Sequence, residues 1–186
     1  MKPEARSQKS EEKRITFVGL GSNLGDSRKI ILDALARLQS FADAPIVKSS
    51  LWQTSPVNCP PDSPKFVNAV AGFIPQKKET PESLLKKLRE LEKEFGRAPK
   101  KVLNEPRPLD LDLIAFGDET RPAAPKHGEG GNSAELILPH PRAYERRFVL
   151  QPLSEIAPEL ILPGQGKTVS QLLAELTGDE TVTRLV

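Results

Sequence analysis

The alternation of apolar and polar residues divides the chain into short elements. Residues 15–19 are an apolar run ending in glycine, the pattern of a buried strand. Residues 19–25, Gly-Leu-Gly-Ser-Asn-Leu-Gly, read as a turn, and Asp26 or Ser27 can cap the helix that follows. In that helix Ile30, Ile31, Ala34, Leu35 and Leu38 recur at helical spacing and give one buried face. It should end at 40–43, ahead of Pro45. Residues 46–54 are rich in β-branched and aromatic side chains and predict a second strand. Residues 55–64 hold Pro56, Pro60, Pro61 and Pro64, so they predict a stiff loop rather than a paired segment. A third strand is expected over 66–74. Thr80 followed by Pro81 is a helix start, Leu84, Leu88, Leu91 and Phe95 form its apolar stripe, and Gly96 ends it.

Residues 97–108 form a basic, proline-containing loop, and 109–116 is the clearest strand pattern in the chain. Residues 118–134 mix glycine, proline and charge without a period and read as a flexible loop. A short strand is possible at 136–138, and His140-Pro141 opens an irregular or helical stretch leading to Phe148-Val-Leu. Thr168-Val-Ser-Gln171 is a capping box that opens a last helix over 169–176. The order of elements predicts an α+β fold with helices packed on a mostly antiparallel sheet.

Composition narrows the class. With 186 residues the chain suits one domain, expected over 15–186, and 1–14 is polar and aperiodic, the pattern of a disordered tail. Cys59 is the single cysteine, so no internal disulfide forms, which fits a reducing compartment. No signal-peptide pattern and no window of roughly 20 apolar residues stands out, so the expected location is cytoplasmic, with no membrane partner. Lys plus Arg (27) nearly balance Asp plus Glu (25), which argues against a general polyanion binder and makes any anion site local.

Asp110-Leu-Asp112 is the sharpest chemical feature. On a strand the two aspartates share one face and Leu109, Leu111 and Leu113 the other, with the aspartate Cα atoms roughly 7 Å apart. Such carboxylates can grip one cation or a pair about 3.5–4 Å apart completed by a polyphosphate. Oxygen donors without a histidine or cysteine pair favour magnesium over zinc. By themselves the aspartates fit a solvated strand face slightly better than a metal site. Arg107, Arg97, Lys100 and Lys101 on the loop entering this strand tip the balance, because bound phosphate with magnesium needs both signs of charge close together. Arg146, Arg147 and His140 form a second polar cluster, in which Arg146 can clamp a phosphate and His140 can bind an oxygen or cap a turn; His127 is given no role. Two glycine patterns are decoys. Gly19 to Gly25 spaces as G-x-G-x-x-x-G, one residue too long for a dinucleotide fingerprint, and Gly164-Gln-Gly-Lys-Thr168 lacks the earlier glycine of a phosphate loop, since Ile161 stands there.

The blocks VGLGSNLGD (18–26), SPKFVNAVAGF (63–73), FGR (95–97), PRPLDLDLIAFG (106–117) and PHPRAYERRFVLQPLSEIAP (139–158) occur in this order. Together they resemble the 6-hydroxymethyl-7,8-dihydropterin pyrophosphokinases of folate biosynthesis. The resemblance implies a ferredoxin-like fold and magnesium-dependent transfer of diphosphate from ATP, the co-substrate, to the pterin hydroxymethyl group, releasing AMP. It implies two magnesium ions on Asp110 and Asp112, and catalytic phosphate contacts from Arg97 and Arg107. Further implied nucleotide contacts are Arg89, Glu92, Lys100, Leu113, His140 and Arg146. Thr54, Val57, Phe66, Asn68 and Phe148 match a pterin pocket in which two rings sandwich the substrate. An amide with donor and acceptor at Asn68, and flat faces at Phe66 and Phe148, independently suit such a ring. The chain departs from the family pattern at Pro99, Leu103, Asn104 and Glu105, on the basic loop, and at Phe66, often tyrosine.

Three other readings remain at this level: an ATP-dependent transferase acting on a different alcohol, a sheet that binds RNA, and a non-catalytic relic, since the basic loop departs from the family pattern. The second needs exposed aromatics on central strands, and the Asp110–Asp112 strand, expected at the centre, would repel phosphate. Small-molecule substrates, no nucleic acid, and a monomer or weak oligomer are the expected partnerships.

Overall fold

The computed structural model describes residues 15–99, 102, 104–123 and 136–186. The expected tail at 1–14, Lys100, Lys101, Leu103, His127 and most of the 118–134 loop lie outside the described residues.

Six strands, β1 (Thr16–Ser22), β2 (Val47–Lys48), β3 (Trp52–Thr54), β4 (Phe66–Phe73), β5 (Asp110–Phe116) and β6 (Val182–Arg184), form one sheet. Its order is β5-β1-β4-β3-β6, with β2 also paired to β4, and every pairing is antiparallel. Helices α1 (Ser27–Leu38) and α2 (Pro81–Glu94) cover one face, and α3 (Arg147–Ile156) and α4 (Val169–Glu175) pack on the other. The fold is α+β of the ferredoxin-like type, as expected. None of the described helices is long and apolar enough to cross a membrane.

Local chemistry accounts for the helix boundaries. The Asp26 carboxylate accepts the Lys29 amide at 3.0 Å and so caps α1. Thr80 and Ser83 exchange hydrogen bonds at the start of α2, with Pro81 in its first turn, and Thr168 and Gln171 do the same for α4. Leu84, Leu88 and Leu91 of α2 are fully buried with Ile31, Ala34 and Leu38 of α1. Each such leucine contributes about 1.5–3 kcal/mol relative to an exposed one.

Strand boundaries depart from the pattern in four places. β1 runs through Gly19 and Gly21 to Ser22 instead of turning at Gly19. A Cβ on Gly21 would stand 3.0 Å from Asn68 Oδ1, and one on Gly19 3.4 Å from Ile114, so the glycines serve close packing and not a turn. The expected strand over 46–54 is split, because the Ser49 hydroxyl takes the Val70 amide hydrogen (3.0 Å) and the Ser50 amide turns to Glu155 (2.8 Å). Leu138 forms only an isolated bridge with Arg121. β6, which no apolar run announces, pairs with β3 through exposed or half-buried residues.

β5 lies at an end of the sheet, not at its centre, since its one partner is β1. A register shift opposite Phe17 and Val18 adds one residue to β5. Asp110, Asp112 and Ile114 therefore face the α3 side, Ala115 joins them there, and Leu111, Leu113 and Phe116 enter the core under α1 and α2.

Candidate active site

A cavity of about 480 Å³ opens on the α3 face of the sheet. Its floor is Gly19 and Gly21 of β1 with Asp110, Asp112 and Ile114 of β5. Absence of side chains at the two glycines leaves the aspartates uncovered. The walls come from Thr54, Val57, Phe66 and Asn68 on one side and His140, Arg146 and Phe148 on another, with Arg107 between them. Asp110 and Asp112 thus point into one space, as strand alternation requires.

Asp110 is gripped by two arginines. Arg107 Nη2 donates to Oδ2 at 2.5 Å, and Arg97 Nη1 donates to Oδ1. The same Arg97 nitrogen reaches Glu92 on α2, and the Glu92 carboxylate also accepts the Leu111 amide at 2.8 Å. Helix α2, the basic loop and β5 are tied together by this chain of charges. Burial works against ionisation of Asp110, but the Arg107 and Arg97 guanidinium groups outweigh it and hold its carboxyl below the usual range. Asp112 moves the other way: burial and then the Asp110 charge push it up, with His140, Arg146 and Arg107 opposing. Burial lowers His140, against the pull of Asp112 and with help from Arg146 and Arg142. Burial also lowers Arg146, whose guanidinium lies 5.3 Å over the Phe148 ring. Arg107 stacks similarly at 5.4 Å over Phe66.

Burial raises Glu92 from 4.5 to about 7, against the Leu111 hydrogen bond and Arg97, and with Asp110 and Asp112 adding to the rise. A carboxyl raised on folding stabilises fully below its unfolded value and loses that contribution as pH climbs through its folded value. The Glu92 contribution is therefore complete below about pH 4.5 and gone above about pH 7. The shift corresponds to about 3 kcal/mol. Glu92→Gln, which has no proton to lose, should flatten the fall in unfolding free energy across this window. Denaturant titrations of both proteins at pH 5 and pH 8 measure it, and parallel pH profiles would contradict the shift.

Of the residues marked in the sequence, Asp110, Asp112, Arg107, His140, Arg146, Thr54, Val57, Phe66, Asn68 and Phe148 all line the cavity. Arg97 and Glu92 stand behind it, through Asp110 and Leu111. Arg89 lies one turn before Glu92 on α2, outside the cavity lining. Leu113 has its side chain buried in the core beneath α1 and α2, because alternation sends it away from Asp112, so only its backbone faces the neighbourhood of the aspartates. Lys100 is outside the described residues.

Sequence reasoning missed Asn23, which it assigned to a turn. The Asn23 side chain accepts the Arg107 amide (2.9 Å) and donates to the Pro64 carbonyl (3.3 Å), while its own amide donates to the Arg107 carbonyl (3.2 Å). It pins the root of Arg107 to the β1–α1 connection. Asn23→Ala should lower stability by about 1–2 kcal/mol and turnover by about tenfold through misplacement of Arg107. Thermal unfolding and kcat measure the two effects.

Residues 17–158 match the family model for 7,8-dihydro-6-hydroxymethylpterin-pyrophosphokinase. The chain is 36% identical over 172 residues to the Folic acid synthesis protein fol1 of Pneumocystis carinii, covering 92% of this chain and 21% of that protein. It is 35% identical over 159 residues to the 2-amino-4-hydroxy-6-hydroxymethyldihydropteridine pyrophosphokinase of Synechocystis, covering 86% and 74% of the two chains. In fold it resembles a crystal structure of a Plasmodium falciparum HPPK-DHPS triple mutant with pteroate, at a TM-score of 0.66 and 16% identity, over 89% of this chain and 44% of that one. The chain thus spans about a fifth of the fungal relative and under half of the Plasmodium chain. The family-model match takes in both aspartates, the basic loop and the Arg146–Phe148 wall, and places the chain in the 7,8-dihydro-6-hydroxymethylpterin-pyrophosphokinase family.

Proposed function

We propose that the protein transfers the terminal diphosphate of ATP to the hydroxymethyl group of 6-hydroxymethyl-7,8-dihydropterin and releases AMP, a step in folate synthesis. The observation that carries this reading is one cavity that joins paired carboxylates, four basic side chains and a pocket with two phenylalanine faces and an amide. The pterin ring would lie between Phe66 and Phe148, with its polar edge toward Asn68 and Thr54. Asn68 Nδ2 already donates to Thr54 Oγ1 at 2.8 Å, which fixes the orientation of the amide. The polyphosphate would lie along Asp110, Asp112, Arg107, His140 and Arg146.

Magnesium fits the donor set. Asp110 and Asp112 offer only oxygen, and no set of three or more His, Cys, Asp or Glu among the described residues could hold an ion unaided. Substrate oxygens would have to complete the shell, which is the usual habit of magnesium at a polyphosphate. Two ions between the aspartates and the phosphates would neutralise charge developing on the transferred group.

The chain's own residues supply placement and charge. The pterin hydroxyl oxygen attacks the β-phosphorus, the bond from that phosphorus to the α–β bridging oxygen breaks, and the hydroxyl proton leaves to solvent. Arg97 and Arg107, both held by Asp110 in this structure, would pass to the phosphate oxygens as the polyphosphate arrives. His140 and Arg146 would bind the nucleotide from the opposite wall. Little covalent work falls to the protein in such a transfer.

The direct test is incubation with ATP, magnesium and 6-hydroxymethyl-7,8-dihydropterin, with nucleotide products separated. AMP and the pterin diphosphate in equal amounts are expected. ADP as the product, or no pterin-dependent turnover, would reject the reading.

A further inference from the structure

Glu180 lies beyond residues 17–158 that match the family model, and no sequence pattern singles it out. In the structure it lines the same cavity as Thr54, Val57, Phe66 and Asn68. Its Oε2 is buried and has no hydrogen-bond partner among the described residues. A carboxylate oxygen removed from water and given no donor is costly to a fold. The cost is relieved if the donor arrives with a ligand.

The segment that carries Glu180 is fastened on the side next to the pocket. The Ser55 amide donates to the Thr181 carbonyl (3.1 Å), and the Thr181 amide donates to Ser55 Oγ (3.2 Å). Val182 stands opposite Thr54 in the β6–β3 register. Further along, the Leu185 amide donates to the Leu51 carbonyl (2.8 Å), and Arg184 Nε donates to Ser50 Oγ (2.8 Å). Glu180 therefore enters the cavity immediately beside Thr54 and Ser55, on a strap held by backbone pairing.

We propose that Glu180 is a substrate-recognition residue whose carboxylate accepts the adjacent N–H donors of a 2-amino-4-oxopteridine ring, the 2-amino group and N3–H. This rests on the pterin reading of the cavity. Two donors side by side match the two oxygens of a carboxylate. Thr54 Oγ1, the Thr181 carbonyl and Ser55 Oγ already accept hydrogen bonds from Asn68, Ser55 and Thr181, so the unpartnered Glu180 oxygen adds an acceptor beside them. A site with a buried acceptor discriminates strongly against a ligand that lacks the donor.

The test is fluorescence titration of the full chain with 6-hydroxymethylpterin and with 6-hydroxymethyllumazine, in which an oxo group replaces the 2-amino group. Wild type and Glu180→Gln are compared, with affinity for a non-hydrolysable ATP analogue and Tm as controls. Wild type should favour the pterin by tenfold or more, on the order expected for a lost charged hydrogen bond. Glu180→Gln should weaken pterin binding by about ten- to a hundredfold and narrow the preference, with ATP-analogue affinity unchanged and Tm not lowered. Unchanged pterin affinity and preference in the variant would overturn the assignment while leaving the pterin reading intact. A lower Tm with unchanged preference would mark Glu180 as a structural tie and overturn it as well. Failure of the wild type to bind either pteridine would reject the functional reading, and the role of Glu180 with it.

Discussion

Asp112→Asn should reduce AMP formation by about a thousandfold while leaving the protein as stable as the wild type or more so. The two effects come from one cause. Burial and the neighbouring Asp110 charge already favour a neutral side chain at this position. Asparagine keeps the shape and removes a like-charge contact, so the fold gains what the site loses. Asp110→Asn should behave differently. Its carboxylate is tied to Arg97 and Arg107, so the amide weakens both contacts and leaves two half-buried cations under-compensated. Activity and Tm should fall together in that variant. Single-turnover AMP measurements with calorimetry on both proteins separate the cases. Near-wild-type turnover in Asp112→Asn would remove the basis for a cation site on β5.

Arg107→Ala should lower kcat by about a hundred- to a thousandfold, and Arg107→Lys should recover little of it. Arg107 performs several tasks with one planar group: it pairs with Asp110, lies over the Phe66 ring, and donates from Nη1 to the Glu105 carbonyl at 3.3 Å. Its Nε is buried without a hydrogen-bond partner among the described residues, so a donor remains available for an incoming oxygen. A lysine ammonium can restore charge but neither the fork nor the stacked plane. Steady-state kinetics for the three proteins, with ATP-analogue affinity alongside, give the comparison. Full rescue by lysine would mean that only charge matters at this position.

The parts of the site visible in the sequence depend on short-range rules. Alternation placed Asp110 and Asp112 on one face and sent the side chains of Leu111 and Leu113 into the core on the other. The caps at Asp26, Thr80 and Thr168 needed only local hydrogen bonding. Asn23 and Glu180 were invisible for the opposite reason. Their partners are remote in sequence: Arg107 for one, and for the other a cavity wall reached only through β6–β3 pairing.

Glycine shows the boundary between the two kinds of information. Gly19 and Gly21 read as turn residues because glycine usually marks conformational freedom. In the folded chain they are strand residues that leave room beside Ile114 and Asn68, a need created by neighbours far along the chain. The position of β5 at the sheet's end and the extra residue in its pairing with β1 are likewise properties of assembled strands.

The sequence by itself determined the element types, the helix caps, the shared direction of the two aspartates and the membership of most cavity residues, because each depends on residues close along the chain or on a motif. Tertiary structure alone decided which arginines hold Asp110, how Asn23 anchors Arg107, and that Glu180 enters the pocket. Those contacts join segments whose proximity no local periodicity encodes.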